Sequence, residues 1–312
     1  MIKNLPKIAL GAWAWGNDGT FGSNFTPKIL KPVFDTAMAN GLNLWDTAYA
    51  YGMGTSEKVL AEFIKELPRE SFFISDKFTP QCADKNSATA MKDMIEMQYK
   101  LMGINKFDIY WIHNVWKAPK WTQELAKYFE GKQNVPLIGV SNHNLAEIKQ
   151  AQEILKAHGL KLSAVQNHYS LINRYSETSG ILDYCRQNNI YFFSYMILEQ
   201  GALSGKYDTK NPMPKGSARS YTYNPILDKI ELLNEKLKKL ADKYNVEIAQ
   251  ISIAWAISKG TLPIIGVTKV KHVEDAVKAL NIILGREEIA ELENFADSLK
   301  TDVVRIWERK LK

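Results

Sequence analysis

The sequence is poor in cysteine: only Cys82 and Cys185 occur in 312 residues. At most one disulfide could form, so a disulfide-framework secreted fold is excluded and a reduced, cytoplasmic setting is expected. The two cysteines and five histidines show no metal-ligand spacing, and no metal is expected. Long hydrophobic runs are missing as well. No stretch approaches the roughly 20 apolar residues of a membrane helix. The opening MIKNLPKIALGAW has no basic segment followed by a long apolar core. Neither a membrane partner nor a signal peptide is therefore expected. Glycine (18) and proline (11) are too few for a collagen-like or low-complexity chain. Charge of one sign does not dominate: 40 Lys+Arg against 34 Asp+Glu leave +6. The lysines interleave with glutamates, as in Glu235-Lys236-Leu237-Lys238-Lys239. That is the pattern of a solvated helix face rather than of a nucleic-acid footprint. The modest positive field favours an anionic small molecule.

What is present is alternation. Short runs rich in β-branched and aromatic residues recur at Ile8–Leu10, Leu42–Trp45, Phe72–Ser75, Ile109–Ile112, Leu137–Val140, Ala164–Gln166, Ile190–Ser194 and Leu262–Ile265. They are nearly continuous in hydrophobicity, as strands buried on both faces must be. Amphipathic segments separate them, from Pro27–Asn40 to Glu287–Leu299. Several stop at a glycine, such as Gly41, Gly103 and Gly159. Eight strands alternating with helices predict an α/β fold, a (β/α)8 barrel formed by residues 1–312 as one domain. Two extra helices are expected, one before the last barrel helix and one near the C-terminus. An open doubly wound sheet is the rival, but no linker or second strand–helix block is visible. The stretch Asn211–Ser220 reads as a long surface loop after the seventh strand.

In a barrel, chemistry sits where strands end. Here the strands run into Asp46, Asp76-Lys77, His113-Asn114, Ser141-Asn142, Gln166-Asn167 and Tyr195. Each alone could be a turn cap or a satisfied polar group. A carboxylate, an amine and an imidazole on three consecutive strands would converge in one mouth. A buried lysine beside an aspartate stays charged. Lys77 could form a Schiff base, or it could tune a neighbour. Tyr51, on the loop after Asp46, is such a neighbour. A free phenol has a pKa of about 10, too high for a useful acid near neutrality. An adjacent ammonium lowers it, and His113 could orient a carbonyl oxygen.

Asp46, Tyr51, Lys77 and His113, in that order, resemble the catalytic tetrad of the aldo/keto reductase family. The surrounding LNLWDTAYAYGMGTSEKVL is similar to the family's first signature, and Asp108–Asn114 to its fourth strand. The opening Gly11-Ala12-Trp13-Ala14-Trp15-Gly16 has the flavour of bacterial and plant members. The resemblance runs from about Ile8 to Leu280. It implies that Tyr51 is the proton donor, with Lys77 and Asp46 lowering its pKa and His113 orienting the substrate. It implies NADP (NADPH) as cofactor. Ser141, Asn142 and Gln166 would bind the nicotinamide carboxamide and Tyr195 would stack on the ring. Backbone groups of Met196, Leu198 and Gln200 would follow the pyrophosphate. The segment from Gly266, with Thr268, Lys269, Lys271, His272 and Asp275, would take the 2′-phosphate and adenine. Trp15 and Trp116 follow strand ends and are candidates to line the substrate pocket.

Three departures stand out. Met196-Ile197 replaces the family's frequent Ser-Pro, Asp275-Ala276 replaces Glu-Asn, and only Met1–Lys7 precede the first strand. Gly52-Met53-Gly54 lacks the third glycine of a Rossmann fingerprint, and Gly139–His143 lacks the closing glycine of a nucleophile elbow. The resemblance implies a monomeric enzyme that reduces a small-molecule carbonyl substrate. A dehydrogenase running in the oxidising direction, a Schiff-base lyase and a non-catalytic cofactor-sensing subunit remain as alternatives.

Overall fold

The computed structural model describes residues 5–301 and, beyond them, 303, 305, 308 and 311. Eight strands are present among them: β1 (Ala9–Gly11), β2 (Leu44–Asp46), β3 (Phe73–Phe78), β4 (Ile109–Ile112), β5 (Leu137–Ser141), β6 (Leu162–His168), β7 (Tyr191–Tyr195) and β8 (Leu262–Gly266). All neighbours are parallel, and β8 pairs back onto β1, which closes the barrel. The helices are α1 (Pro27–Ala39), α2 (Thr55–Ile64), α3 (Ala90–Met102), α4 (Ala118–Phe129), α5 (Leu145–Ala157), α6 (Tyr175–Thr178) and α7 (Ile181–Gln187). There follow α8 (Ala218–Tyr223), α9 (Leu227–Tyr244), α10 (Ile248–Ser258), α11 (Val270–Ala279) and α12 (Arg286–Ser298). Between β7 and β8, α9 precedes the barrel helix α10, and α12 follows the ring. The Asn211–Ser220 stretch is not wholly loop. Ser217 caps α8 by accepting the Ser220 amide.

The strands bury both faces, for two different cores. Ala9, Leu44, Ile109, Trp111, Ala164, Phe193 and Leu262 fill the barrel interior, with Leu5 packed against them. The outward faces join the helices in a much larger core that includes Trp15, Trp45, Phe34 and Trp255. Period-two alternation decides which side each residue serves. Two strands run further than their apolar runs. β3 continues through Asp76 and Lys77 to Phe78, and β6 through Gln166 and Asn167 to His168. Lys77 and Gln166 stay in the ladder because Asp46 satisfies them inside the mouth, whereas Asp76 meets Gln98 on the outer side.

One backbone contact sets the loop after β2. Gly16, in the short 3-10 turn Trp13–Gly16, lies against Tyr51 and Gly52. Gly52 adopts φ +65°, and a Cβ there would lie 1.9 Å from the Gly16 carbonyl oxygen. Both the handedness and the space demand glycine. Gly52→Ala is expected to cost about 1–3 kcal/mol, read from the urea midpoint. Gly131→Ala, at φ +71° but in open space, should carry only the left-handed backbone strain, about 1 kcal/mol, with no clash added. Equal losses for the two would contradict the contact.

Candidate active site

Lys77 is wholly buried and points into the mouth. Its Nζ donates to Asp46 Oδ2 at 2.5 Å, to the Thr47 carbonyl at 2.8 Å and to the Tyr51 hydroxyl at 3.1 Å. Three protons meet three acceptors, so the ammonium is fully used. Asp46 is held from its other oxygen: Ser75 Oγ donates to Oδ1 at 2.7 Å and Gln166 Nε2 at 3.1 Å. Trp111 Nε1 in turn donates to Ser75 Oγ at 2.7 Å. The His113 ring stands edge-on to Tyr51, with centroids 5.8 Å apart. Its Nδ1 lies 2.7 Å from Thr79 Oγ1. The four predicted residues therefore converge.

Electrostatics corrects one expectation. Burial pushes the Tyr51 phenol up. Lys77 pulls it down, Asp46 pushes it up again, and the phenol ends above its ordinary value. The expected net lowering does not occur in this setting, because desolvation of a phenolate outweighs the single ammonium. Burial alone would lower Lys77, but Asp46 and Tyr51 raise it and keep it cationic. Burial, and then Lys77, hold His113 well below its ordinary value, so it is a neutral imidazole.

The aromatic surroundings bring a second correction. Trp15 is 0% exposed, donates from Nε1 to the Val267 carbonyl at 2.7 Å and packs against Trp45 and Phe63. It is a core residue, because the short turn after β1 points it away from the mouth. Trp13, two residues earlier, stacks on Tyr51 instead, with centroids 5.9 Å apart and planes at 21°. Trp116 is 43% exposed, with Lys117 Nζ 4.8 Å from its ring.

A model of the aldo/keto reductase family matches residues 7–297. The chain belongs to this family. Pyridoxal reductase, chloroplastic, of Arabidopsis thaliana is 30% identical over 326 residues, covering 98% of this chain and 88% of that protein. The NADH-specific methylglyoxal reductase of Escherichia coli (strain K12) is 26% identical over 325 residues, covering 95% and 96%. Among solved structures, a glycerol dehydrogenase from Gluconobacter oxydans superposes with a TM-score of 0.82 at 21% identity, covering 99% and 97%. An aldo/keto reductase from Klebsiella pneumoniae in complex with NADP and acetate gives 0.73 at 23%, covering 94% and 92%. These two establish the likeness of fold.

The residues that the aldo/keto reductase resemblance assigns to the cofactor lie around the same mouth. Ser141 Oγ accepts from Asn142 Nδ2 at 3.1 Å, which leaves its own proton to give. Asn142, at φ 65°, also donates to the His113 carbonyl at 3.0 Å. After β7 the chain turns through left-handed positions at Met196, Glu199, Gln200 and Gly201. Such strain collects at binding loops. Both polar atoms of the buried Gln200 side-chain amide lack a partner among the described residues, as a ligand-binding amide would. After β8, the Thr268 amide donates to His272 Nδ1 at 3.2 Å. Burial, together with Lys269, Lys206 and Lys271, depresses His272 despite Asp275. Lys271 lies 3.1 Å from Asp275, and Gln250 donates to the same oxygen at 2.7 Å. That leaves Asp275 tied to α10 and Lys269 exposed at the start of α11, without an acidic partner among the described residues. Lys206 and Arg219 were not anticipated as site residues. Arg219 donates to the Gln200 carbonyl at 3.3 Å, with its guanidinium over Phe21 and Tyr207.

A buried ionic network also escaped the sequence reading. Glu199 accepts from Tyr223 at 2.7 Å and Arg305 at 2.9 Å, lies 2.5 Å from His168 Nε2, and accepts from Ser170. Arg305 also donates to Glu308 at 2.7 Å. Tyr195 reaches Glu308 at 2.7 Å and Asn142 at 2.5 Å, and His168 stacks on its ring. The tail after α12 is thus tied to the residue expected to stack on nicotinamide. Burial would raise Glu199, but His168 and Arg305 bring it down to about 2. A depressed carboxyl contributes stability above its unfolded value and loses it as pH falls through the folded one. Urea unfolding should therefore show stability climbing from about pH 2 to about 4.5. Glu199→Gln should flatten that climb and cost about 1.5–3 kcal/mol near neutrality, because charge-assisted bonds from His168 and Arg305 are lost while Arg305 keeps Glu308. An unchanged slope would contradict the network.

Proposed function

We propose that the protein reduces aldehydes or ketones to alcohols, using NADPH in preference to NADH, and works as a single-domain cytoplasmic monomer. The observation that carries this is Lys77 Nζ paired with Asp46 at 2.5 Å while standing 3.1 Å from the Tyr51 hydroxyl. A nicotinamide held by Ser141, Asn142 and Gln166 would supply the hydride. Tyr51, kept protonated by burial, gives its proton to the alkoxide oxygen. Lys77 takes up the phenolate charge as it forms, a charge-assisted hydrogen bond in a dry site. Neutral His113 holds the carbonyl oxygen. A Schiff-base role for Lys77 is disfavoured, because a nucleophilic amine must be neutral and this one is charged with its three hydrogen bonds made. Tyr51→Phe should lower kcat for carbonyl reduction by at least about 100-fold, with cofactor Kd little changed. Near wild-type turnover would refute the reading.

The NADPH preference rests on Lys206 and Lys269 beside His272. A 2′-phosphate needs such cations, reinforced by amides at the start of α11. Because Lys271 is engaged with Asp275, Lys269 and Lys206 carry the preference. Lys206→Ala/Lys269→Ala should raise KM for NADPH roughly 10- to 100-fold, the scale of a charge-assisted bond. KM for NADH should stay put. A wild-type enzyme that uses both cofactors equally would contradict the preference.

A further inference from the structure

Directly behind Lys77 lies a second set of buried groups that the chemistry above does not use. Asp76 precedes Lys77 on β3, so alternation turns it outward, toward α2 and α3. There it meets Glu57, in the first turn of α2, and both side chains are 0% exposed. Burial pushes both carboxyls up, and Glu57 pushes Asp76 further, well above the usual carboxylate range. Between them sits Gln98 of α3. Its Nε2 reaches Glu57 Oε1 at 3.0 Å, Asp76 Oδ1 at 3.1 Å and the Lys77 carbonyl at 3.2 Å. Its Oε1 accepts from Tyr110 at 2.6 Å. The Lys77 amide donates to Asp76 Oδ1 at 2.8 Å. Two carboxylate oxygens, Glu57 Oε2 and Asp76 Oδ2, are then left buried with no donor among the described residues.

The proton count decides the state. Gln98 has two amide protons for three acceptors. If both carboxyls were ionised, two like charges would be buried around one amide nitrogen, with two of their oxygens given no donor. A single proton on one carboxyl makes a strong bond to the other. The start of α2 favours the negative charge on Glu57, which assigns the proton to Asp76. We propose that Glu57 and Asp76 share one proton, and that this carboxyl pair, with Gln98, is the positioning device for Lys77. It grips the Lys77 amide and carbonyl from the outer face while Nζ works on the inner one. The other ionisable groups around the pair are Lys77, Lys58, Tyr110, Tyr51 and Cys82. The role of Lys77 assumed here rests on the reduction chemistry proposed above; the shared proton does not.

Two measurements test this. Infrared spectra of the full chain at about pH 8, where ordinary carboxyls are ionised, should retain a carboxylic-acid C=O band that shifts in D2O. It should vanish in both Glu57→Gln and Asp76→Asn, since each amide supplies the donor and frees the other carboxyl to ionise. No such band in the wild type, or one surviving both substitutions, overturns the shared proton. For positioning, Asp76→Ala should lower kcat roughly 10- to 100-fold through misplacement of Lys77 without changing cofactor Kd. Asp76→Asn should recover most of that loss, because its amide bridges to Glu57 as the proton did. Asparagine no better than alanine overturns the positioning role. If the chain reduces no carbonyl, the infrared result still reads the proton.

Discussion

One buried ammonium constrains the rest of this molecule. Lys77 sits at the inner face of a closed barrel with no access to water, and an isolated charge there would be very costly. It is stable only because Asp46 neutralises it and the Thr47 carbonyl and Tyr51 hydroxyl complete its shell. Those demands propagate outward. Asp46 must be held at a fixed angle, which requires Ser75 and Gln166, and Ser75 is oriented by Trp111. Tyr51 must be brought to the ammonium by a loop that turns tightly, which requires the Gly16–Gly52 contact. The arrangement that stabilises the charge is also the one that can receive a phenolate.

Much of this was legible in the sequence, for physical reasons. Parallel strands buried on both faces leave compact apolar runs, so the eight strands and their order could be read directly. The tetrad was legible because strand ends in a barrel share one mouth. What could not be read depended on direction and burial. Trp15 follows a strand end just as a pocket residue would, yet the 3-10 turn rotates it into the core and presents Trp13 instead. The sign of the Tyr51 shift was misjudged because a neighbouring charge is visible in sequence and desolvation is not. The partners of Glu199 come from β6, α8 and the tail, more than 100 residues apart at the extremes. No periodicity announces them.

The cofactor segment illustrates the same divide. Sequence put Lys269 and Lys271 in contention with equal claims. Helical spacing then ties Lys271 to Asp275 one turn on, while Lys269, outside the first turn, is spared. Lys206 acts on His272 from the loop after β7, which the pairing of β7 with β8 brings alongside. Charge at this end and the proton donor at the other are about the same problem, how to hold anionic groups in a chain whose net charge is only +6. Local clustering supplies what the overall balance does not.

The central claim is that Lys77 and Tyr51 act as one unit, and a double-mutant cycle tests it most directly. Lys77→Met, Tyr51→Phe and the pair should be compared by kcat for carbonyl reduction. If the ammonium works only by receiving the phenolate charge, the double variant should be about as impaired as the worse single one. Losses that multiply would show two independent contributions and contradict the account.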